Sequence, residues 1–184
     1  MSLHTARRRP EDTSTKKDTL KYYTDLAKLA DRGKISAIFF ADWFVGFDVY
    51  GGGLDTMLRA AHQVAHLDPY ALVSAMAAVT DNVSFAVTQS TTYSTPYVLA
   101  RQFSTLDHIT GGRCAWNIVT SFTDSSAQAL GQDSIMEHDE RYAMADEFMD
   151  VVYKYVFNSK IRLKRLVLTE VHLDSGNRRG LLIR

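Results

Sequence analysis

The chain has 184 residues, 46% of them hydrophobic, which is enough to bury the core of one domain. Its 21 Lys/Arg balance 21 Asp/Glu, and the single Cys114 excludes an internal disulfide. No segment approaches the roughly 18 consecutive apolar residues that span a bilayer, and no signal-peptide-like apolar run follows the charged N-terminus, so a soluble protein of the reducing cytoplasm is expected.

The zero net charge is a sum of unlike parts. Residues 1–17 carry five Lys/Arg against two Asp/Glu, residues 18–157 nine against seventeen, and residues 158–184 seven against two. The expected organisation is therefore a basic N-terminal segment (1–17), an acidic globular domain (18–157) and a basic divergent tail (158–184). Neither basic end interleaves its charges with aromatics or forms an amphipathic face, so no nucleic-acid or membrane partner is expected.

In chain order, the first predicted element is a helix from Asp18 to Gly33. Asp18 or Thr19 can cap it, Leu20, Tyr23, Leu26, Ala27 and Ala30 recur on one face, and Gly33 suits the position just past its end. Ile35 to Ala41, ISAIFFA, is a short apolar run of the kind that a parallel sheet buries on both faces. It stops at Asp42, and a long loop rich in Gly and aromatics follows, with one short helical piece. Asp68-Pro69 reads as an N-cap followed by proline at the first helical position, opening a helix of small residues from Tyr70 to Thr80.

Val83 to Thr88, VSFAVT, is the second predicted strand. A polar turn over Gln89 to Thr95 precedes a helix that Pro96 opens and that ends after Ile109 at Gly111-Gly112. Cys114 to Thr120, CAWNIVT, is the third strand. The last predicted element is a helix from about Asp139 to Phe157, with Tyr142, Ala145, Phe148, Met149 and Val152 on one face. Strands alternating with helices imply βαβ units and a parallel sheet, open or closed.

The residues with chemical potential cluster at the strand ends. Asp42 ends its strand and reads either as a ligand-facing carboxylate or as a turn former. Thr88 offers a hydroxyl at the end of VSFAVT, though a β-branched residue also simply suits a strand. Asn117 is an amide in a buried strand and needs hydrogen-bond partners, from a ligand or from neighbouring backbone. His138 and Tyr142, four apart in EHDERY, share one face at the start of the last helix, where an anionic ligand is favoured, although a His at a helix start is also a common cap. His62 and His66 lack an HExxH pattern or a third ligand, so no metal is expected. Gly51 to Gly53 precede Leu-Asp rather than a phosphate-loop pattern, and read as a loop tip. Arg7 to Arg9 are too short a run to be a targeting signal.

The run from Val87 to Ser121, VTQSTTYSTPYVLARQFSTLDHITGGRCAWNIVTS, together with FFAD and HxxRY, resembles the FMN-dependent monooxygenases of the bacterial luciferase superfamily, in the branch of nitrilotriacetate monooxygenase, dibenzothiophene-sulfone monooxygenase and pristinamycin synthase. The resemblance implies a (β/α)8 TIM barrel with the flavin at the C-terminal strand ends. It also implies that Asp42, Thr88, His138 and Tyr142, which keep family-like spacing, face that flavin. Reduced FMN would come from a separate flavin reductase, and a flavin hydroperoxide would pass one oxygen of O2 to a small organic substrate.

The resemblance runs from about Lys16 to Tyr153, and no first barrel strand or later βα units are recognisable. The expectation is thus a partial, incomplete α/β barrel holding half a flavin site, with weak or no FMN affinity and little activity. The alternative is a non-enzymatic remnant or interaction protein of the same family, and homo-oligomerisation is left open.

Overall fold

A computed structural model describes residues 18–49, 51–59, 67–158, 167–169 and 182–183. His62, His66, Arg7 to Arg9 and most of both basic ends lie outside the described residues.

Helix α1 (Leu20–Arg32) starts where Thr19 accepts a hydrogen bond from the Tyr22 amide. Its end departs from the expectation for Gly33. Gly33 has φ −78°, and the left-handed residue is Lys34 (φ 56°). The Ile35 amide donates to Ala30 O at 3.0 Å and the Lys34 amide to Asp31 O at 3.1 Å, the paired bonds of a Schellman turn whose left-handed position falls on lysine.

Strand β1 (Ala37–Phe40) is followed by the expected long loop with its short helical piece, α2 (Asp55–Arg59). Helix α3 (Pro69–Ala77) begins as predicted, with the Asp68 carboxylate accepting from the Tyr70 amide at 2.8 Å. Strand β2 (Ser84–Ser90) runs two residues beyond Thr88, because Gln89 and Ser90 pair with Ile118 and Val119. Helix α4 (Pro96–Thr110) ends at Gly111, whose φ of 69° only glycine adopts cheaply.

Strand β3 (Cys114–Val119) leads into a helix absent from the sequence reading, α5 (Asp124–Ala129), capped by Thr123. Its six residues are too few to display a helical period. Helix α6 (His138–Asn158) follows, then the short strands β4 (Val167–Thr169) and β5 (Leu182–Ile183), which also went unforeseen within the basic tail.

The sheet has the order β1-β2-β3-β4-β5, parallel through β4, with β5 antiparallel. Side chains alternate across it. Ile38, Phe40, Phe85, Val87, Cys114 and Trp116 enter one core with residues of α1, α3, α4 and α6. Trp116 stacks on Phe103 at 5.3 Å and leans on Phe148 at 6.2 Å, joining β3 to α4 and α6. The opposite face carries Phe39, Ala86, Thr88, Ala115 and Asn117. Phe39 is 54% exposed, so β1 is not buried on both faces as its composition suggested. Among the described residues, helices cover only one side.

Candidate functional site

Thr88 and Asn117 are directly paired across β2 and β3, on the face away from the helices. The Asn117 amide donates to Thr88 Oγ1 at 3.0 Å, and both residues are buried. That bond uses the nitrogen end of the amide. Asn117 Oδ1 is buried without a hydrogen-bond partner, an acceptor aimed away from the core at the C-terminal half of a parallel strand. Leaving such a group unmet costs about 1–3 kcal/mol, so among the described residues the position retains an acceptor able to take a further hydrogen bond.

Asp42 lies two residues past β1, at the same C-terminal end of the parallel sheet as the ends of β2 and β3. Burial raises its carboxyl to about 6, the Asp68 carboxylate adds to the rise, and a hydrogen bond from the Trp43 backbone opposes it. Tyr70, in the first turn of α3, has a buried hydroxyl with no hydrogen-bond partner. Burial raises its pKa, and the nearby Cys114, Asp68 and Asp42 raise it further.

His138 and Tyr142 meet as the i, i+4 spacing predicts, with ring centroids 4.7 Å apart. His138 Nδ1 lies 2.8 Å from Asp139 Oδ1. Both rings are substantially exposed, and no hydrogen bond joins this pair to Asp42, Thr88 or Asn117. The start of α6 is linked to the strand ends by Arg141, whose Nη1 donates to the Ser121 carbonyl just past β3.

The sequence reading passed over Arg141 although it sits between the two residues singled out. It is charged, and only the fold shows that it turns inward, to 8% exposure. Also missed were Ser90 and Ser121, whose hydroxyls lie 2.9 Å apart and bridge the ends of β2 and β3. Tyr93 has a buried hydroxyl without a hydrogen-bond partner. Burial raises the Tyr93 pKa, while the Arg141 charge pulls it down.

An aromatic series borders this end of the sheet. Trp43 touches Phe47, Phe47 stacks on Phe122 at 5.8 Å, and Phe44 meets Tyr93 edge-on at 5.7 Å. The loop after β1 is tied to α5 through Asp48, which accepts from the Ser125 amide at 2.9 Å, and Gly46 O, which accepts from Ser125 Oγ at 2.8 Å. Between them lies a groove of about 840 Å³ whose lining includes Val45, Val49, Leu54 and Phe122. Gly52 and Gly53 also line it, so the glycine run borders a recess. Among the described residues there is no cluster of three His, Cys, Asp or Glu that could hold a metal ion, and no helix long and apolar enough to cross a membrane.

The family model described as luciferase-like monooxygenase matches residues 1–162. The dimethyl-sulfide monooxygenase of Hyphomicrobium sulfonivorans is 47% identical over 147 residues, covering 80% of this chain and 31% of that protein. The long-chain alkane monooxygenase of Geobacillus thermodenitrificans (strain NG80-2) is 50% identical over 147 residues, covering 80% and 33%. Nitrilotriacetate monooxygenase component A of Aminobacter aminovorans, from the branch named on sequence grounds, is 40% identical over 73% of this chain and 30% of its own length.

Among solved structures, a long-chain alkane monooxygenase superposes with a TM-score of 0.75 at 51% identity, covering 80% of this chain and 34% of the other. A riboflavin lyase with modified FMN and riboflavin gives a TM-score of 0.73 at 34% identity, covering 81% and 33%. The chain spans about a third of the length of the relatives it matches.

Proposed function

The chain belongs to the luciferase-like monooxygenase family, and from that membership we propose that its strand-end face is one wall of an FMN site serving monooxygenation of a small organic substrate. The observation that carries this reading is the orphaned Asn117 Oδ1 beside the Thr88 hydroxyl. A flavin ring edge alternates N–H donors with carbonyl acceptors. Asn117 Oδ1 needs a donor, and the Thr88 hydroxyl, already accepting from Asn117, is left to donate. One unmet acceptor and one free donor, side by side, fit that edge. A riboflavin lyase with modified FMN, 34% identical, supports the assignment.

Reduced FMN, when bound, supplies the capacity to activate O2 and deliver one oxygen atom. The chain's own residues then have separable tasks. Thr88 and Asn117 orient the ring by hydrogen bonding. Asp42, with its carboxyl raised to about 6, holds or releases a proton at the carboxyl oxygen near neutrality. His138 and Tyr142 present an imidazole and a phenol at a helix N-terminus, suited to the anionic part of the cofactor. Trp43, Phe44, Phe47 and Phe122 supply apolar surface beside this end of the sheet.

A separate flavin reductase is the proposed source of reduced FMN. The partition of a relative named as component A supports this. A cytoplasmic setting accords with the lone, buried Cys114. The position of β1 at the sheet edge among the described residues favours a second reading, a non-enzymatic protein that pairs with another copy of itself.

The test is an FMN titration of the purified chain followed by flavin fluorescence, with circular dichroism on the same sample. The long-chain alkane relative serves as comparator. Saturable binding is expected, weaker than the relative's and weakened about tenfold more by Asn117→Ala, the effect of one buried hydrogen bond. A folded chain that leaves FMN fluorescence unchanged defeats the flavin reading and favours the second.

A further inference from the structure

We propose that Arg141 is a positioning residue of the strand-end face, a side chain that anchors the start of α6 to the linked segments carrying the candidate site. Its consequence for ligand binding rests on the flavin reading above. Its geometry does not.

Arg141 is 8% exposed and its Nη1 donates to the Ser121 carbonyl. Ser121 is a node. It is held at φ 58°, a left-handed conformation unfavourable for a side chain other than glycine, so something must hold it there. Its hydroxyl bonds Ser90 Oγ at 2.9 Å, and Ser90 Oγ in turn accepts from the Thr92 amide at 3.2 Å. Thr92 Oγ1 donates to Thr120 O, closing the link between the ends of β2 and β3.

The guanidinium adds the remaining segments. It belongs to α6, one residue before Tyr142 and three after His138, so anchoring it sets where that ring pair sits. Its charge also reaches Tyr93, whose ring meets Phe44 in the loop that follows Asp42. Burying a cation with its Nε lacking a partner is costly. A merely adequate link between α6 and β3 would not require one. The planar fork of arginine serves because one nitrogen reaches the Ser121 carbonyl while the delocalised charge still acts on the Tyr93 phenol. Lysine retains the charge and can still donate to the carbonyl, without the planar fork.

The test uses the whole chain with Arg141→Lys, Arg141→Gln and Ser121→Gly. The first readout needs no ligand: amide hydrogen exchange resolved by residue. Exchange over Ser121 to Thr123 and His138 to Tyr142 is expected to accelerate at least about tenfold in Arg141→Gln and to return toward wild type in Arg141→Lys, while the Phe85 and Trp116 amides stay protected. The second readout is the FMN titration, with affinity expected to fall about tenfold in Arg141→Gln and partly recover in Arg141→Lys.

Unchanged exchange at both segments in Arg141→Gln overturns the proposal, whatever FMN does. If Arg141→Gln does not fold, Arg141→Lys and Ser121→Gly decide. Ser121→Gly suits the backbone but cuts the hydroxyl link, so faster exchange at Ser90 to Thr92 with the α6 start still protected supports the anchor. Wild-type exchange at all of these positions in both variants refutes it. Loss of protection in the variants together with no FMN binding by the wild type sustains the positioning role and removes the flavin reading alone.

Discussion

At the scale of single residues, protonation of Asp42 is the point most open to measurement. Its folded carboxyl is raised to about 6 from an ordinary value of 3.8, so the fold favours the protonated form. Its contribution is most favourable below the unfolded pKa and declines as pH rises from about 3.8 to about 6, leaving a constant cost at neutral pH. Asp42→Asn should therefore raise stability at pH 7.5 by about 1 kcal/mol, the full shift being reduced by solvent screening of a half-buried group, with little gain at pH 4. Urea midpoints at the two pH values measure this, and an equal gain at both would contradict it. Lys34 makes a second residue-level case. It occupies the left-handed position of the α1 turn, so Lys34→Gly should stabilise by about 0.5–1 kcal/mol, read from the same urea curves.

These residues show how far sequence reading extends toward a site. The strand-end positions of Asp42, Thr88 and Asn117 were legible because strand ends are recognisable from apolar runs that stop. The unmet Asn117 oxygen was not legible, since it depends on which neighbour the amide nitrogen finds. Lys34 was missed because glycine one residue earlier is the usual signal, and here that glycine has a neighbouring carbonyl, Leu29 O, at 3.1 Å from where a Cβ would stand.

At the scale of elements, the face opposite the site is held by two polar clamps. Asp31, in the last turn of α1, accepts from the backbone amides of Asp81, Asn82 and Val83, fixing the entry to β2. Those bonds hold its pKa below the usual carboxylate range, aided by the Arg113 charge. Arg113 donates to Ala77 O, Val83 O, Thr80 Oγ1 and Thr110 O, tying the ends of α3 and α4 to β2 and β3. A depressed folded pKa contributes stability above the unfolded value that is lost as pH falls through the folded one. Asp31→Asn should lower the thermal midpoint at pH 7, and the deficit should shrink as pH drops below the ordinary carboxylate range. A deficit independent of pH would show that the carboxylate charge is not what matters. Long elements such as α4 and α6 were readable from caps and period, whereas α5, β4 and β5 were too short to express either.

At the scale of the whole molecule, a sheet whose second face no helix covers among the described residues governs behaviour. Ile38 and Phe40 enter the core while Phe39 stays exposed on the other face of β1, the edge strand. An exposed aromatic on a strand that is the sheet edge among the described residues invites pairing with another chain. Phe39→Lys should leave the urea midpoint nearly unchanged, because Phe39 lies outside the core, and should reduce self-association. Sedimentation velocity over a range of concentrations measures this. A concentration-dependent sedimentation coefficient that persists in the variant would place the association elsewhere.

The sequence by itself determined the alternation of strands and helices, the family, and the strand-end positions of the candidate residues, because period, capping and termination are local properties of the chain. Only the tertiary structure decided that helices of the described residues cover a single face, that Asn117 is left with an unmet acceptor, and that Arg141 turns inward to hold Ser121. Each of those depends on which groups distant in sequence meet in space, and on what is left over once they have paired.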